Sequence, residues 1–187
     1  MSLLVRGSLC ACLALAAGAG CAHIIETRAI DRFAENLRAE DLDGLKAATS
    51  EEFSERALRT ATALQDIKIL RLPDGKTTIV DVEEVDENQR RVTVQVGEDK
   101  KEVFYELTRD DAGKWLVDDV YLKQKKQGVT AFKSVTEQLD LLLTVREFLD
   151  GWDAGNRDQV LKVSAAEFRS ALEQLPPAYL AKLTKQV

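Results

Sequence analysis

The sequence predicts an α+β fold in which N-terminal helices pack on a curved antiparallel sheet and a second helical block follows. Three observations predict it. Apolar residues recur at helical spacing over 24–37, alternation with closely spaced turn residues replaces that period from residue 67 to 122, and helical spacing returns at Val135. The chain has 187 residues, 45% of them hydrophobic and 31% charged, which fits one globular domain with an appendage. Its 26 Lys and Arg against 32 Asp and Glu give a net charge of -6. Phosphate binding needs a clustered surplus of cations, so no nucleic-acid partner is expected.

Residues 1–20 read as a signal peptide. A single cation, Arg6, precedes an apolar run of about nine residues over 9–17, and small residues lead to Cys21. The run falls short of the ~20 residues that a bilayer-spanning helix needs. The segment Gly18-Ala19-Gly20-Cys21 resembles the lipobox of bacterial lipoproteins, with Gly18 standing where that family has Leu. The resemblance implies that Cys21 is lipidated and becomes the mature N-terminus. Residues 21–23 are then a lipidated tether, and the chain is exported and anchored to a membrane of the cell envelope. Ala17-Gly18-Ala19 also fits ordinary signal cleavage, which leaves a periplasmic or secreted protein with a free Cys21 thiol.

The first domain is expected over 24–122. Ile25, Ala29, Ile30, Phe33, Ala34 and Leu37 form one face of a first helix, and Glu26, Arg28, Asp31, Arg32 and Glu35 its wet face. Asp41 caps a short second helix through Leu42, Leu45 and Ala48. Thr49-Ser50-Glu51-Glu52 starts a third, which carries Phe53, Ala57, Leu58 and Ala61. Strands are expected at 67–72, 77–84, 90–96, 102–108 and 115–122. Pro73-Asp74-Gly75, Asp86-Glu87-Asn88, Gly97-Glu98-Asp99 and Asp110-Asp111-Ala112-Gly113 separate them. Separators this short imply an antiparallel meander, because parallel crossovers need a dozen or more residues. Alternation at Val80 and Val82, and at Val92, Val94 and Val96, sets the face that meets the helices. The acidic run Asp81, Glu83, Glu84, Asp86 and Glu87 flanks a hairpin.

Residues 123–129, with Lys123, Lys125 and Lys126, read as a solvated linker. Residues 130–187 read as a helical segment, with Val135, Leu139, Leu142, Phe148, Leu149 and Trp152 on its apolar side and a final helix over 177–186. Shifted by 115 residues, Phe148, Ala154, Asp158, Glu167 and Phe168 fall on Phe33, Ala39, Asp43, Glu52 and Phe53. The segment therefore resembles the start of a second copy, helices without strands. Either the chain is a fragment of a longer tandem protein or this block packs back on the first domain.

Three helices followed by such a sheet resemble the nuclear transport factor 2-like (cystatin-like α+β) fold over residues 24–122. Two pieces carry the resemblance: Asp110-Asp111-Ala112-Gly113-Lys114-Trp115-Leu116-Val117-Asp118 as a closing strand, and Ala39-Glu40-Asp41-Leu42-Asp43-Gly44-Leu45 followed by Glu52-Phe53. The resemblance implies a cone with a pocket between helices and sheet. Relatives use it as isomerases and dehydratases, as small-ligand binders, or as dimer and scaffold modules, so fold does not settle function.

The chemistry available is narrow. His23 is the only histidine and all three cysteines, Cys10, Cys12 and Cys21, precede it. The folded part thus lacks the residues for Ser-His-Asp or Cys-His catalysis and for His- or thiolate-ligated metal. Neither G-x-G-x-x-G nor G-x-x-x-x-G-K-[ST] occurs. No cofactor and no metal are expected. A carboxylate in an apolar pocket remains, its pKa raised by burial as in ketosteroid isomerase-like relatives. The candidates are Asp119, placed by alternation on one face with Trp115, Val117 and Tyr121, and Glu84, placed with Thr78, Val80 and Val82. Tyr105 could supply a hydrogen bond. The expected function is a membrane-anchored envelope lipoprotein with a non-catalytic ligand-binding or assembly role. Its partners would be the membrane through the lipid, an envelope protein or small apolar ligand, and a second copy as homodimer. The alternative is a His-free isomerase- or dehydratase-like enzyme.

Overall fold

A computed structural model describes residues 23–176 and Tyr179. The signal peptide, Cys21 and the helix expected over 177–186 lie outside the described residues. Four helices come first: α1 (Ile24–Arg38), α2 (Leu42–Lys46), α3 (Glu51–Ala57) and α4 (Ala63–Ile69). Caps fix their starts. The Asp41 carboxylate accepts the Gly44 N–H at 2.9 Å, and the Ser50 hydroxyl accepts the Phe53 N–H at 3.0 Å. Ala29, Ile30 and Phe33 of α1 are buried, as their spacing predicts.

Residues 63–69 correct the strand expected at 67–72. Ile67 and Ile69 alternate like a strand, but the partner of Ile67 in the core is Ala63, one helical turn earlier. Ile69 is exposed. Asp66, on the buried side of the same turn, is held through both oxygens by Arg146, at 2.8 and 3.0 Å. That contact from far along the chain favours the helix, and local sequence does not reveal it.

Five antiparallel strands follow in spatial order β1 (Thr77–Glu84), β2 (Gln89–Val96), β3 (Lys101–Arg109), β4 (Trp115–Lys126) and β5 (Val129–Ser134), forming an open sheet. The linker expected over 123–129 is corrected here. Residues 123–126 continue β4, and Lys123, Gln124 and Lys125 pair with Phe132, Ala131 and Thr130. Gln127 and Gly128 turn between them with φ of 50° and 82°, the two left-handed residues of a tight hairpin. The end of this hairpin is exposed on both faces, so it carries no apolar alternation.

Two bulges reverse the face of the residues beside them. One, between Ile79 and Asp81, leaves Val80 exposed and packs Ile79 and Val82 on the core. Glu84 ends β1 in solvent. The other sits in β4, where Leu107 pairs with Val117 but Glu106 pairs with Asp119, making Asp118 the extra residue. Trp115 and Val117 therefore share a face with Val120 and Leu122. Asp119 lies on the opposite face with Tyr121, which corrects its expected grouping with Trp115 and Val117.

The core forms between α1, α3, α4 and the inward-facing aliphatics Val92, Val94, Val103, Leu107, Val117 and Val120, closed by Val135 and Leu139. Those last two belong to α5 (Val135–Asp153), which packs back on the first helices. Arg59 reaches Asp140 at 2.6 Å and Glu147 at 2.9 Å. Two short helices, α6 (Arg157–Lys162) and α7 (Ala166–Glu173), follow and bury Val160 and Leu172 with Phe148, Trp152 and Leu161.

Candidate functional site

A cavity of about 260 Å³ lies between the C-terminal half of α1, α4, the loop after α4 and the middle of β3. Its apolar wall is Phe33, Ala34, Leu37, Ile67, Leu72 and Pro73. These elements meet here because α1 places Phe33 and Leu37 on one stripe, and Pro73 sends the chain across the opening toward β1. Phe33 packs edge-on against Phe53 at 5.9 Å and against Tyr105 at 6.1 Å, which fixes the floor.

Tyr105 is the one sequence-predicted candidate that lines this cavity. It is 6% exposed, and burial, together with the nearby Asp31 carboxylate, pushes its phenol well above the ordinary range. It is a neutral hydrogen-bonding group at any physiological pH. Among the described residues its hydroxyl has no hydrogen-bond partner, and the oxygen is open to the cavity and not sealed in the core.

The rim is charged. Arg38 pairs with Asp74 at 3.1 Å and Lys68 with Glu40 at 2.6 Å, so those two acids are committed. Arg71, also on the rim, has no ion-pair partner among the described residues and holds a left-handed backbone with φ of 53°. The mouth therefore carries a surplus cation beside an apolar wall.

Asp119 lies elsewhere and has another task. Its Oδ1 accepts the Val120 N–H at 2.7 Å and the N–H and hydroxyl of Thr136 at 3.1 and 2.8 Å. Its Oδ2 accepts the Ser134 hydroxyl at 2.5 Å. Ser134 in turn caps α5 by accepting the Glu137 N–H. Asp119 thus fastens the start of α5 to the outer face of the sheet, and it does not line the cavity. Glu84, exposed, pairs with Arg90 at 2.9 Å. Arg90 also pairs with buried Glu26 and sits 4.6 Å above the Trp115 ring. That cluster plugs the end of the core away from the rim.

The sequence reading missed Arg38, Lys68 and Arg71. Arg71-Leu72-Pro73-Asp74 has the composition of an ordinary turn, and only the fold brings it over the end of α1. It also missed Asp118, half-buried by the β4 bulge and raised above the usual carboxyl range by that burial. Among the described residues no helix is long and apolar enough to cross a membrane, and no cluster of His, Cys, Asp and Glu suits a metal ion. Comparison of the chain with protein-family models, curated proteins and solved structures finds no match.

Proposed function

We propose that the chain is an exported lipoprotein, acylated at Cys21, whose first domain resembles the nuclear transport factor 2-like fold and binds a small amphipathic ligand without transforming it. One observation carries the binding reading: an apolar cavity with an unpartnered phenol at its floor and an unpaired cation, Arg71, at its mouth. An apolar body suits the wall, a polar atom suits the Tyr105 hydroxyl, and an acidic head suits Arg71. Neither Asp119 nor Glu84 lines the cavity. Glu40 and Asp74 are its only carboxylates, and both are engaged in ion pairs.

The test is calorimetric titration of the purified chain with decanoate and with decan-1-ol. Saturable binding of decanoate, weaker binding of the alcohol, and a decanoate affinity lowered about tenfold by Arg71→Ala are expected, the size of one lost charge-assisted hydrogen bond. Binding that survives both Arg71→Ala and a Leu37→Trp block, or no binding of either compound, rejects the reading.

We also infer that residues 135–175 are the helical half of a second copy, offset by 115. The support is local geometry repeated bond for bond. Ala39, Glu40 and Asp41 donate N–H bonds to Glu35, Leu37 and Asn36, and Ala154, Gly155 and Asn156 donate to Asp150, Trp152 and Gly151. Glu40 and Gly155 are both left-handed, with φ of 55° and 63°. Asp41 caps Gly44 as Asn156 caps Gln159, and the Thr49 hydroxyl bonds Leu45 O as the Ser164 hydroxyl bonds Val160 O. The aromatic pair repeats as well: Phe33–Phe53 at 5.9 Å, Phe148–Phe168 at 6.0 Å.

One exchange strengthens the correspondence. Between α1 and α2 the side chain is Asn36 and the glycine is Gly44, where an added Cβ would meet Asn36 Oδ1 at 2.6 Å. Between α5 and α6 the glycine is Gly151 and the side chain is Gln159, 3.0 Å from such a Cβ. The same contact is filled from opposite helices.

A further inference from the structure

The stretch expected to be a solvated linker is a projecting pair of strands, and its charge runs against that of the chain. Between Asp119 and Glu137 stand Lys123, Lys125, Lys126 and Lys133 and no acid, in a chain of net charge -6. The last pairing of β4 with β3 is that of Leu122 with Val103. From Lys123 onward β4 pairs with β5 alone, in unbroken register to Lys126 opposite Val129. At about 3.3 Å per residue, Leu122 to Lys126 carries this two-stranded ribbon roughly 13 Å past that pairing.

Cations and apolar surface are presented together on it. Lys125 and Lys133 are exposed, alternate onto opposite faces of the ribbon, and have no ion-pair partner among the described residues. Lys123 pairs with Glu102 at 3.3 Å and lies 5.6 Å from the centre of the Phe132 ring, while Val129 beside the turn is 68% exposed. A folded protein docked on one face of the projecting part would cover roughly 130 Å², the product of its length and two strand widths, against about 800 Å² per partner in a standard interface. Lipid headgroups are under no such limit. They surround a ribbon on both faces, match its lysines with phosphates, and leave an apolar tip at the acyl boundary. The ribbon also leaves the sheet at the end that carries the cavity rim: Lys101 at the start of β3 pairs with Val96, Val96 pairs with Thr77, and Thr77 follows the rim residues Pro73 and Asp74.

We propose that the β4–β5 ribbon is a membrane-contact element, which sets its lysines among the anionic headgroups of a bilayer with Val129 at the acyl boundary. The contact needs neither an occupied cavity nor an acyl chain on Cys21, so it stands apart from the function proposed above. The test is amide exchange read by mass spectrometry on the full chain carrying Cys21→Ser, mixed with vesicles of phosphatidylglycerol or of phosphatidylcholine. Exchange over residues 123–133 should slow on phosphatidylglycerol, stay at the free rate on phosphatidylcholine, and recover as salt is raised. Lys125→Gln with Lys126→Gln should raise the phosphatidylglycerol concentration that gives half the protection by about twenty-five-fold, about fivefold for each lysine. The fold should stay intact, checked by an unchanged thermal melt.

Lys46→Gln with Lys162→Gln removes the same charge from two exposed lysines outside the ribbon and should leave the protection unchanged. An equal loss in that variant overturns the proposal in favour of a net-charge effect. Ribbon amides that exchange freely on phosphatidylglycerol overturn it, and so does protection that is equal on the two lipids or that survives loss of Lys125 and Lys126. Protection by polyglutamate and not by phosphatidylglycerol overturns it in favour of an acidic polypeptide partner.

Discussion

Asp119 holds two elements together with one carboxylate. Removing it leaves the Thr136 N–H, two hydroxyls and the Val120 N–H in a buried place without their acceptor. Asp119→Ala should therefore cost about 3 kcal/mol in urea unfolding, the scale of several buried donors unsatisfied at once. Ligand affinity should stay unchanged. Beside it, Asp118 titrates in the opposite sense to an ion-paired acid. Burial raises its folded pKa above the unfolded value, so the folded state binds the extra proton, and the contribution to stability declines as pH rises from the ordinary carboxyl range through the raised one. Asp118→Asn should be more stable than the parent at neutral pH and lose that advantage in acid, checked by thermal melts across pH. From sequence, Asp119 was identifiable as a special carboxylate but not as an anchor. Strict alternation places it inward, and only the extra residue at 118 turns it outward against Ser134 and Thr136.

At the scale of elements, the joint between α5 and the first helices rests on paired charges. Asp66 is almost fully buried and depends on Arg146, a contact between residues 80 apart in sequence. Arg146→Ala should cost about 3 kcal/mol, because it leaves a buried carboxylate uncompensated, and amide exchange should accelerate in both α4 and α5. The β4–β5 hairpin depends on its turn. A Cβ on Gly128 would meet nothing within 4 Å, so Gly128→Ala should cost about 1 kcal/mol from its positive φ alone, measured by chemical denaturation. The caps of α2 and α3, and the strands at 77–84, 90–96, 102–108 and 115–122, were legible in local residue chemistry. The helix at 63–69 and strand β5 were not. One is selected by a remote arginine, and the other lacks apolar alternation, since Val129 and Thr130 are exposed, Phe132 packs sideways on Phe104, and Ser134 is buried through its bond to Asp119.

For the molecule as a whole, the amino-terminal chemistry and the cavity belong to one account. Cys21→Ser, expressed in a bacterial host, should move the chain from the membrane to the soluble fraction, checked by fractionation and by mass spectrometry of the mature N-terminus. A Cys21→Ser protein that still fractionates with membranes speaks against the lipid as the means of retention. The helix-then-sheet order of the first domain was readable from the change of period at the start of the sheet. The cavity was not, since its rim comes from α1, α4 and a turn that look unrelated in the sequence.

The helix α1 begins at Ile24, immediately after His23, and under the proposed acylation of Cys21 this limits how far the domain can stand from a membrane. With Cys21 acylated, Ala22 and His23 are the whole leash, about 7 Å of extended chain. The exposed Ile24 and Ile25 then meet the headgroup region. From there α1 runs 15 residues, about 22 Å, and its last turns line the cavity. On that proposal the mouth at Arg38 and Arg71 lies at the end of α1 remote from the anchor. If the proposed anchor holds and α1 stands away from the bilayer, a ligand would be loaded from solution or from a facing surface, and not drawn sideways out of that bilayer.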